Sequence, residues 1–287
     1  MLQLLLSLAL LPLILSVREQ SIAVKGRLLC GEQPAANVRV KLWEEDTGPD
    51  PDDLLDQGYT NSNGEFQLQG GTIETTPIDP VLKVYHDCND VTGFLSVPKP
   101  GSRKVKFSLP DKYISDGMVP KKTMDIGVIN LELEFQDEGR EFIIHPISNM
   151  YRVVLATTLL AVCEAIRDQS IAVKGRLLCG TAPASNVRVK LWDTDTGRPD
   201  DLLSQGYTDA KGEFMLSGGT SETTQIDPVL KIYHDCNDVT QPGSRKVSFI
   251  LPSKYITNAK MPKTTMDIGT INLELVFQEE GREYIVS

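Results

Sequence analysis

The amino-acid sequence predicts an all-β protein made of two antiparallel β-sandwich domains. A long stretch of the 287-residue chain is repeated in the same order, so two copies of one module are expected. Within each copy, apolar and polar residues alternate with a period of two, which is the pattern of a half-buried strand. Glycine-containing turn signals separate these short runs, and no convincing amphipathic helix interrupts them.

The strands are clearest in the second copy. Three runs show the alternation directly: IAVKGRL (171–177), VRVKL (187–191) and VSFIL (247–251). PVLKIYH (228–234) is rich in β-formers, and TMDIGTINLELVFQ (265–278) predicts one long final strand. NSNG (61–64) and DAKG (209–212) place a glycine where a hairpin needs a positive φ. About seven short strands in each copy predict a β-sandwich.

The repeat also sets the domain boundaries. REQSIAVKGRLLCG (18–31) returns as RDQSIAVKGRLLCG (167–180), and IDPVLKVYHDCNDVT (78–92) returns as IDPVLKIYHDCNDVT (226–240). We therefore predict domain 1 over residues 18–144 and domain 2 over residues 167–287. Since the copies diverge so little, we expect them to share one fold and one biochemical activity.

Residues 1–17 form an apolar run that is typical of a cleaved signal peptide. A run of about 17 residues with a proline inside is short for a helix that spans a bilayer. We therefore expect a secreted, extracellular protein, in a compartment where disulfides persist.

A second signal-like segment covers residues 150–165, with an initial methionine, one arginine, an apolar run and small residues at its end. Two explanations stay open. The segment is a helix that links the domains, which is the commoner role of a short apolar run. Alternatively, the chain is a head-to-tail fusion of two secreted precursors, in the genome or in the gene model. We favour the fusion because it explains the methionine and the parallel with residues 1–17.

The chain has five cysteines, and four of them occupy equivalent positions in the two copies. Cys30 and Cys88 lie in domain 1, Cys179 and Cys236 lie in domain 2, and Cys163 falls in the internal signal-like segment. Each domain therefore holds one candidate disulfide, which would stabilise it by ~2–4 kcal/mol. Two buried free cysteines per domain are the alternative, which is less usual in an exported protein.

Composition excludes several classes of function. The formal net charge is −10, from 39 acidic and 29 basic residues, and no long basic cluster occurs. Nucleic acid is not expected as a partner, because attraction to a polyphosphate backbone needs clustered positive charge. The sequence contains no phosphate-binding loop, nucleophile elbow or metal-ligating histidine pair, and we expect no cofactor.

Several strings in both copies, including VKGRLLCG, NVRVKLW, IDPVLKIYHDCND and MDIGTINLEL, resemble the nematode transthyretin-like family. The resemblance runs through nearly all of residues 20–142 and 169–284. It implies a secreted protein with a prealbumin-like β-sandwich, as in transthyretin and the hydroxyisourate hydrolases. It also implies lipid-linked recognition at a cell surface, since one member bridges phosphatidylserine on dying cells to an engulfment receptor.

The chain departs from the family pattern at two positions in each domain. Where many members carry two further cysteines, this chain has Ser102 and Phe142 in domain 1 and Ser244 and Tyr284 in domain 2. Because both presumed partners are missing together, the resemblance implies one disulfide per domain rather than two.

The resemblance to hydroxyisourate hydrolases raises the question of catalysis, since that activity depends on a His/Arg cluster and a terminal Tyr-Arg-Gly-Ser. The chain has three histidines, His86, His145 and His234, and the tetrapeptide does not occur. One histidine in each repeated motif cannot build a multi-histidine site. We therefore predict a non-catalytic protein in which His86 and His234 make structural hydrogen bonds.

Carboxylates are concentrated in one loop of each copy. The candidate binding or calcium residues are Asp46, Asp52 and Asp53 in domain 1 and Asp193, Asp195, Asp200 and Asp201 in domain 2. Oxygen-rich loops with a glycine at a bend hold Ca²⁺, and such a site could also bridge a phospholipid headgroup. The spacing does not match an EF-hand, and a solvated loop is the usual meaning of this composition, so both interpretations stay open.

Taken with the resemblance, these features predict a secreted binding protein. Its expected partner is an extracellular protein, a lipid headgroup at a membrane surface or a small hydrophobic ligand. The alternative is a secreted structural or carrier protein without a specific receptor. A hydroxyisourate hydrolase-type enzyme is the third hypothesis, and the missing residues disfavour it.

Overall fold

The computed structural model describes residues 17–46, 51–92, 97–142, 167–195, 199–238 and 241–284. The internal signal-like segment 150–165 lies outside the described residues, as do Cys163 and all but the last residue of the N-terminal run 1–17. Strands make up almost all of the regular structure, and the predicted all-β fold is confirmed.

Domain 1 contains seven strands of six residues or more, joined by shorter ones. In chain order its strands are β1 Arg18–Cys30, β2 Gln33–Pro34, β3 Arg39–Glu44, β4 Asp53–Tyr59, β5 Glu65–Glu74, β6 Pro80–His86, β7 Val91–Thr92, β8 Val97–Pro98, β9 Ser102–Ser108, β10 Ser115–Asp116, β11 Thr123–Asn130, β12 Glu134–Phe135 and β13 Gly139–Glu141.

Domain 2 repeats the seven long strands. Its strands are β14 Arg167–Cys179, β15 Ala182–Pro183, β16 Arg188–Asp193, β17 Asp201–Tyr207, β18 Glu213–Glu222, β19 Pro228–His234, β20 Ser244–Ile250, β21 Thr265–Asn272, β22 Val276–Phe277 and β23 Gly281–Glu283. Among the described residues, each domain also has one short 3-10 turn, at Asp111–Tyr113 and at Ser253–Tyr255.

Each domain is a sandwich of two packed layers. One layer has the strand order β13-β9-β6-β3-β4 in domain 1 and β23-β20-β19-β16-β17 in domain 2. The other layer contains β5, β1 and β11 in domain 1 and β18, β14 and β21 in domain 2. Alternate side chains such as Val40, Leu42 and Leu82 are fully buried between the layers, as the period-two pattern predicts.

The two domains share their second layer. β11 pairs with β21 in antiparallel register through Gly127, Val128 and Ile129, so one nine-stranded sheet crosses both domains. Asn130 Nδ2 donates a hydrogen bond across this contact to the main chain of the other domain at 2.8 Å, and Asn272 Nδ2 does so in return at 2.8 Å. The domains therefore form one pseudo-symmetric unit.

Each domain also adds a short strand to the other domain's first layer, the one that the two domains do not share. β12 pairs with β20, and β22 pairs with β9. The prediction of one long strand over residues 265–278 is therefore wrong. β21 ends at Asn272, whose side-chain oxygen accepts the amide of Glu274 at 3.1 Å and turns the chain, so that β22 reaches domain 1.

This exchange builds a cluster of four phenylalanines between the domains. The ring centroids of Phe107 and Phe135 lie 5.5 Å apart, and those of Phe249 and Phe277 lie 5.5 Å apart, both edge to face. Phe135 and Phe277 stack with their centroids 6.4 Å apart. All four rings are buried, so the cluster is a hydrophobic core that belongs to both domains.

Buried glutamates close the contact between the domains. Glu132 accepts a hydrogen bond from the hydroxyl of Tyr255 at 2.7 Å and pairs with Lys254. Glu274 accepts from the hydroxyl of Tyr113 at 2.6 Å in the reciprocal arrangement. Burial, and then the hydrogen bond to Glu132, raise the pKa of Tyr255, so the phenol stays protonated and donates at physiological pH.

Gly127 and Gly269 permit the close approach of β11 and β21. Their φ angles are +85° and +87°, in the left-handed region. A Cβ on Gly127 would lie 2.1 Å from the oxygen of Thr270, and one on Gly269 would lie 2.2 Å from the oxygen of Val128. The glycine of the repeated TMDIG motif is therefore required where the two domains meet.

Replacing both glycines with alanine (Gly127→Ala, Gly269→Ala) is expected to open the shared sheet. Each alanine adds about 1–2 kcal/mol of left-handed backbone cost and a clash with the main chain of the other domain. Hydrogen exchange of the Val128 and Thr270 amides and the urea unfolding midpoint measure the effect. Gly117→Ala is the control, since Gly117 has φ +93° but its Cβ would contact nothing within 4 Å. Equal losses in both variants would contradict the steric argument.

Candidate functional site

The structure forms one disulfide in each domain. Cys30 at the end of β1 is bonded to Cys88 after β6, and Cys179 is bonded to Cys236 in the same way. These are the two disulfides that the cysteine positions predict. All four cysteines in the described ranges are therefore oxidised, and none is available as a nucleophile or metal ligand.

The histidines of the YHDC motifs are buried beside these disulfides. His86 is 3 % exposed, and its Nδ1 accepts a hydrogen bond from the amide of Cys88 at 3.3 Å. Burial, and then the charge of Arg103, lower the pKa of His86 to about 3. His234 is placed in the same way, and burial lowers its pKa to about 3. Neutral, inaccessible imidazoles cannot exchange protons with a substrate at physiological pH.

Acid is expected to destabilise the protein through these two histidines. Because the folded-state pKa of His86 and His234 is about 3 and the ordinary value is 6.5, the unfolded chain binds protons more tightly. Their stabilising contribution is present above pH 6.5 and is lost as the pH falls toward 3, with ~1.4 kcal/mol per pH unit for each histidine.

Urea unfolding at several pH values in this window measures the slope. His86→Asn with His234→Asn retains a side-chain acceptor for the cysteine amides but removes the titration, so its acid slope should be smaller. If the variant and the native protein lose stability in parallel, carboxylates rather than these histidines cause the acid sensitivity.

One buried arginine in each domain binds a glutamate and several main-chain oxygens. Arg103 in β9 forms an ion pair with Glu138 at 2.6 Å, and Arg245 forms the equivalent pair with Glu280 at 2.7 Å. The Arg103 guanidinium also donates hydrogen bonds to the main-chain oxygens of Cys88, Leu131 and Leu133. Because every contact of this guanidinium is structural, Arg103 is not a candidate for binding a ligand.

The structure separates the predicted acidic residues into two groups. Asp52 contacts Lys83 at 3.7 Å, and Asp200 contacts Lys231 at 3.3 Å. Asp53 accepts a hydrogen bond from the Thr72 hydroxyl at 2.9 Å. Asp201, at the start of β17, is exposed, and no described acidic cluster includes it. These four aspartates therefore do not form one site with the others.

Asp46 and Asp195 lie in the second group, with carboxylates from a distant strand. Oxygens of Asp46, Glu44 and Glu74 lie within 4.8 Å of one another. In domain 2 the same geometry unites Asp193, Asp195 and Glu222. Sequence reasoning missed Glu74 and Glu222 because they end β5 and β18, far along the chain from the acidic loop. An acidic residue that ends a strand in both copies is the signal that could have identified them.

Two exposed loops combine an apolar side chain with lysines, and we name residues 117–122 and 259–264 the apolar–lysine loops. Val119 is 74 % exposed and precedes Pro120 and Lys121 in the first loop. Met261 is 78 % exposed and is followed by the same Pro-Lys pair in the second. All the lysines in these loops are exposed.

The base of each apolar–lysine loop is fixed by a hydrogen bond. The amide of Lys121 donates to the buried Ser115 hydroxyl at 2.9 Å, and the amide of Lys263 donates to the buried Thr257 hydroxyl at 3.0 Å. The exposed apolar side chains are therefore presented from defined turns. Sequence reasoning did not single out these loops, because an isolated valine or methionine gives no sign of exposure.

Two of the spaces between the domains do not suit a small hydrophobic ligand. The gap beside the phenylalanine cluster has a volume of only about 10 Å³, which a single water would fill. A larger open cleft of about 600 Å³ has mostly charged walls, including Lys112, Asp238, Arg245, Glu274 and Arg282. Apolar ligands need a mainly apolar lining.

No helix in the described ranges is long and apolar enough to cross a membrane.

The chain is a tandem β-sandwich protein. Its two domains form one folded unit, because they share a continuous sheet and exchange short strands. A sequence profile of the Transthyretin-like family matches residues 25–110 and 174–252. The chain therefore belongs to the transthyretin-like family, with one match in each domain.

Curated relatives from Caenorhabditis elegans resemble one domain at a time. Transthyretin-like protein 46 is 69% identical over 136 residues, which are 47% of this chain and 73% of that protein. Transthyretin-like protein 33 is 45% identical over 139 residues, which are 47% of this chain and 97% of that protein. Since less than half of this chain matches nearly all of the second relative, that relative corresponds to a single domain.

Among solved structures, a 9R-lipoxygenase from Cyanothece aligns with 42% of this chain and 18% of its own, at 24% identity and a TM-score of 0.22. Such a score carries no argument about function.

Proposed function

We propose that the protein is an exported, non-catalytic binding protein that recognises phospholipid headgroups at a cell surface through the apolar–lysine loops. The observation that carries this proposal is the exposure of Val119 and Met261 beside exposed lysines in both domains. An apolar side chain next to basic ones suits the boundary between headgroups and acyl chains, where each finds its preferred surroundings.

The energy of membrane contact can be estimated for each loop. Burying one valine or methionine side chain stabilises by about 1.5–3 kcal/mol, and each lysine near an anionic surface adds about 1 kcal/mol. One loop alone would bind weakly. The two loops precede β11 and β21, which pair in antiparallel register, so they lie toward opposite ends of the shared sheet and each domain offers its own contact. The net charge of −10 means that binding depends on these loops rather than on the whole protein's charge.

Export is part of this proposal. A disulfide in each domain is typical of proteins that fold in an oxidising compartment. The signal-like run 1–17 is the feature expected to direct the chain there. Mass spectrometry of secreted material, without reduction, tests this part: a mature product lacking that run and containing both disulfides is expected.

Vesicle co-sedimentation tests the lipid partner. We expect the protein to bind vesicles that contain phosphatidylserine more strongly than vesicles of phosphatidylcholine alone, with an affinity that falls as salt is added. The double variant Val119→Ser, Met261→Ser should bind at least tenfold more weakly, since about 1.4 kcal/mol corresponds to a factor of ten.

Met215→Ser is the matched control, because Met215 on β18 is 65 % exposed but lies outside both loops. It should bind like the native protein. An equal loss in the control, or no binding to either vesicle, would overturn the proposal. If the protein binds neither type of vesicle and also does not bind intact cells, the result favours a structural or carrier protein that lacks a specific receptor.

A further inference from the structure

Three carboxylates meet at one end of the domain 1 sandwich. Glu44 is the last residue of β3, Asp46 follows two residues later, and Glu74 is the last residue of β5. One oxygen from each lies within 4.8 Å of the other two. Two oxygens that each lie about 2.4 Å from a common ion are separated by ~4.8 Å at most. The three side chains are therefore close enough to share one Ca²⁺.

Glu44 is the residue that requires a ligand. It is only 2 % exposed, and its Oε2 has no hydrogen-bond partner. Its other oxygen accepts only a long hydrogen bond of 3.4 Å from the Asp79 amide. A buried carboxylate with only one long hydrogen bond is costly, because it loses its hydration and gains little in return.

Neighbouring charges add to this cost. The lysines of the neighbouring strands contact Glu45, with Lys83 at 2.6 Å and Lys106 at 2.7 Å. These two lysines therefore neutralise Glu45, which lies between Glu44 and Asp46 in the sequence, and not the cluster itself. A bound cation would offset the repulsion between these closely spaced carboxylates.

Domain 2 carries a carboxylate at each equivalent position. Asp193, Asp195 and Glu222 also place their oxygens within 4.8 Å of one another, and Asp193 is as buried as Glu44. The residue inside this set changes from Glu45 to Thr194, whereas all three carboxylates remain. The shared feature of the two domains is therefore the oxygen cluster and not the general acidity of the loop.

We propose that Glu44, Asp46 and Glu74 bind a calcium ion in domain 1, and that Asp193, Asp195 and Glu222 bind a second calcium ion in domain 2. Carboxylate oxygens without nitrogen or sulfur ligands suit a hard cation, and main-chain oxygens and water complete its shell of six to eight ligands. Each ion joins the end of β3 to β5, or of β16 to β18, and so links the two layers of its sandwich.

Calorimetric titration of the full chain with CaCl₂ tests the stoichiometry. Two ions per chain are expected, with dissociation constants of about 10⁻⁴–10⁻³ M, the range of extracellular modules. Terbium luminescence localises the sites, because Trp43 and Trp192 directly precede Glu44 and Asp193 and can sensitise a nearby lanthanide. The thermal unfolding midpoint should rise with calcium concentration.

Glu44→Gln should remove one of the two ions and lower the terbium signal by about half. Glu45→Gln is the matched control: it changes the neighbouring residue, which contacts Lys83 and Lys106, and should retain both ions. No calcium heat and no calcium-dependent shift in the midpoint of the native protein would overturn the proposal. If Glu44→Gln then also stabilises the protein at neutral pH, the cluster is a proton-sharing carboxyl pair.

Discussion

Replacing Arg103 with methionine is expected to lower the free energy of unfolding by about 3–5 kcal/mol, the cost of breaking one side of a buried ion pair. Methionine fills part of the volume but leaves the partly buried Glu138 without its counter-charge at 2.6 Å. It also removes the donors to the main-chain oxygens of Cys88, Leu131 and Leu133. Urea unfolding, followed by tryptophan fluorescence, measures the loss.

The same substitution should weaken the contact between the domains. Two of the oxygens that Arg103 binds, those of Leu131 and Leu133, lie just before β12, which pairs with β20 of domain 2. Glu138 also accepts the amide of Phe135 at 2.9 Å. Arg103 therefore holds the segment that carries Phe135 into the other domain, and faster hydrogen exchange is expected at that amide.

Two controls separate the ion pair from the carbonyl contacts. Lys25→Met removes an exposed pair with Asp125 at 3.4 Å and should change stability by less than about 1 kcal/mol. The double variant Arg103→Met, Glu138→Met should recover part of the loss, because no buried charge is left unpaired. If Arg103→Met costs no more than Lys25→Met, the buried pair does not stabilise the fold.

The fold of one domain could be predicted because its signals are local. Alternation within runs such as VRVKL determines which face is buried, and the paired positions of Cys30 and Cys88 in the repeat left one disulfide for the domain. Pairing of the two domains could not be predicted in this way. Phe135 and Phe277 fit the alternation of a strand in their own domain, and the sequence does not say which sheet they join.

Gly127 illustrates the same limit. A glycine repeated in TMDIG predicts a special backbone position, but its reason is the oxygen of Thr270 in the other domain. Only part of the acidic cluster could be predicted. Asp46 lies in a loop whose acidic composition is clear from the sequence. Glu74 joins the cluster only because β5 returns to the same end of the sandwich. Contacts between residues distant in sequence need the topology, which composition and spacing do not contain.

Replacing Phe135 and Phe277 with alanine is expected to separate the two domains. Each truncation of a buried phenylalanine costs about 3–5 kcal/mol, and both rings belong to the core that the domains share. The variant should keep its separate sandwiches, because each domain retains its own fully buried set between the layers. A protease site inserted within residues 145–149 allows the chain to be cut between the domains.

Size-exclusion chromatography after cutting then reports the strength of the pairing. The native halves should elute together, held by β11–β21, the exchanged strands and the phenylalanine cluster, whereas the halves of Phe135→Ala, Phe277→Ala should elute separately. Phe142→Ala is the control, since Phe142 is 63 % exposed and lies outside the cluster. Native halves that separate without any substitution would show that the covalent link, and not the shared core, holds the domains together.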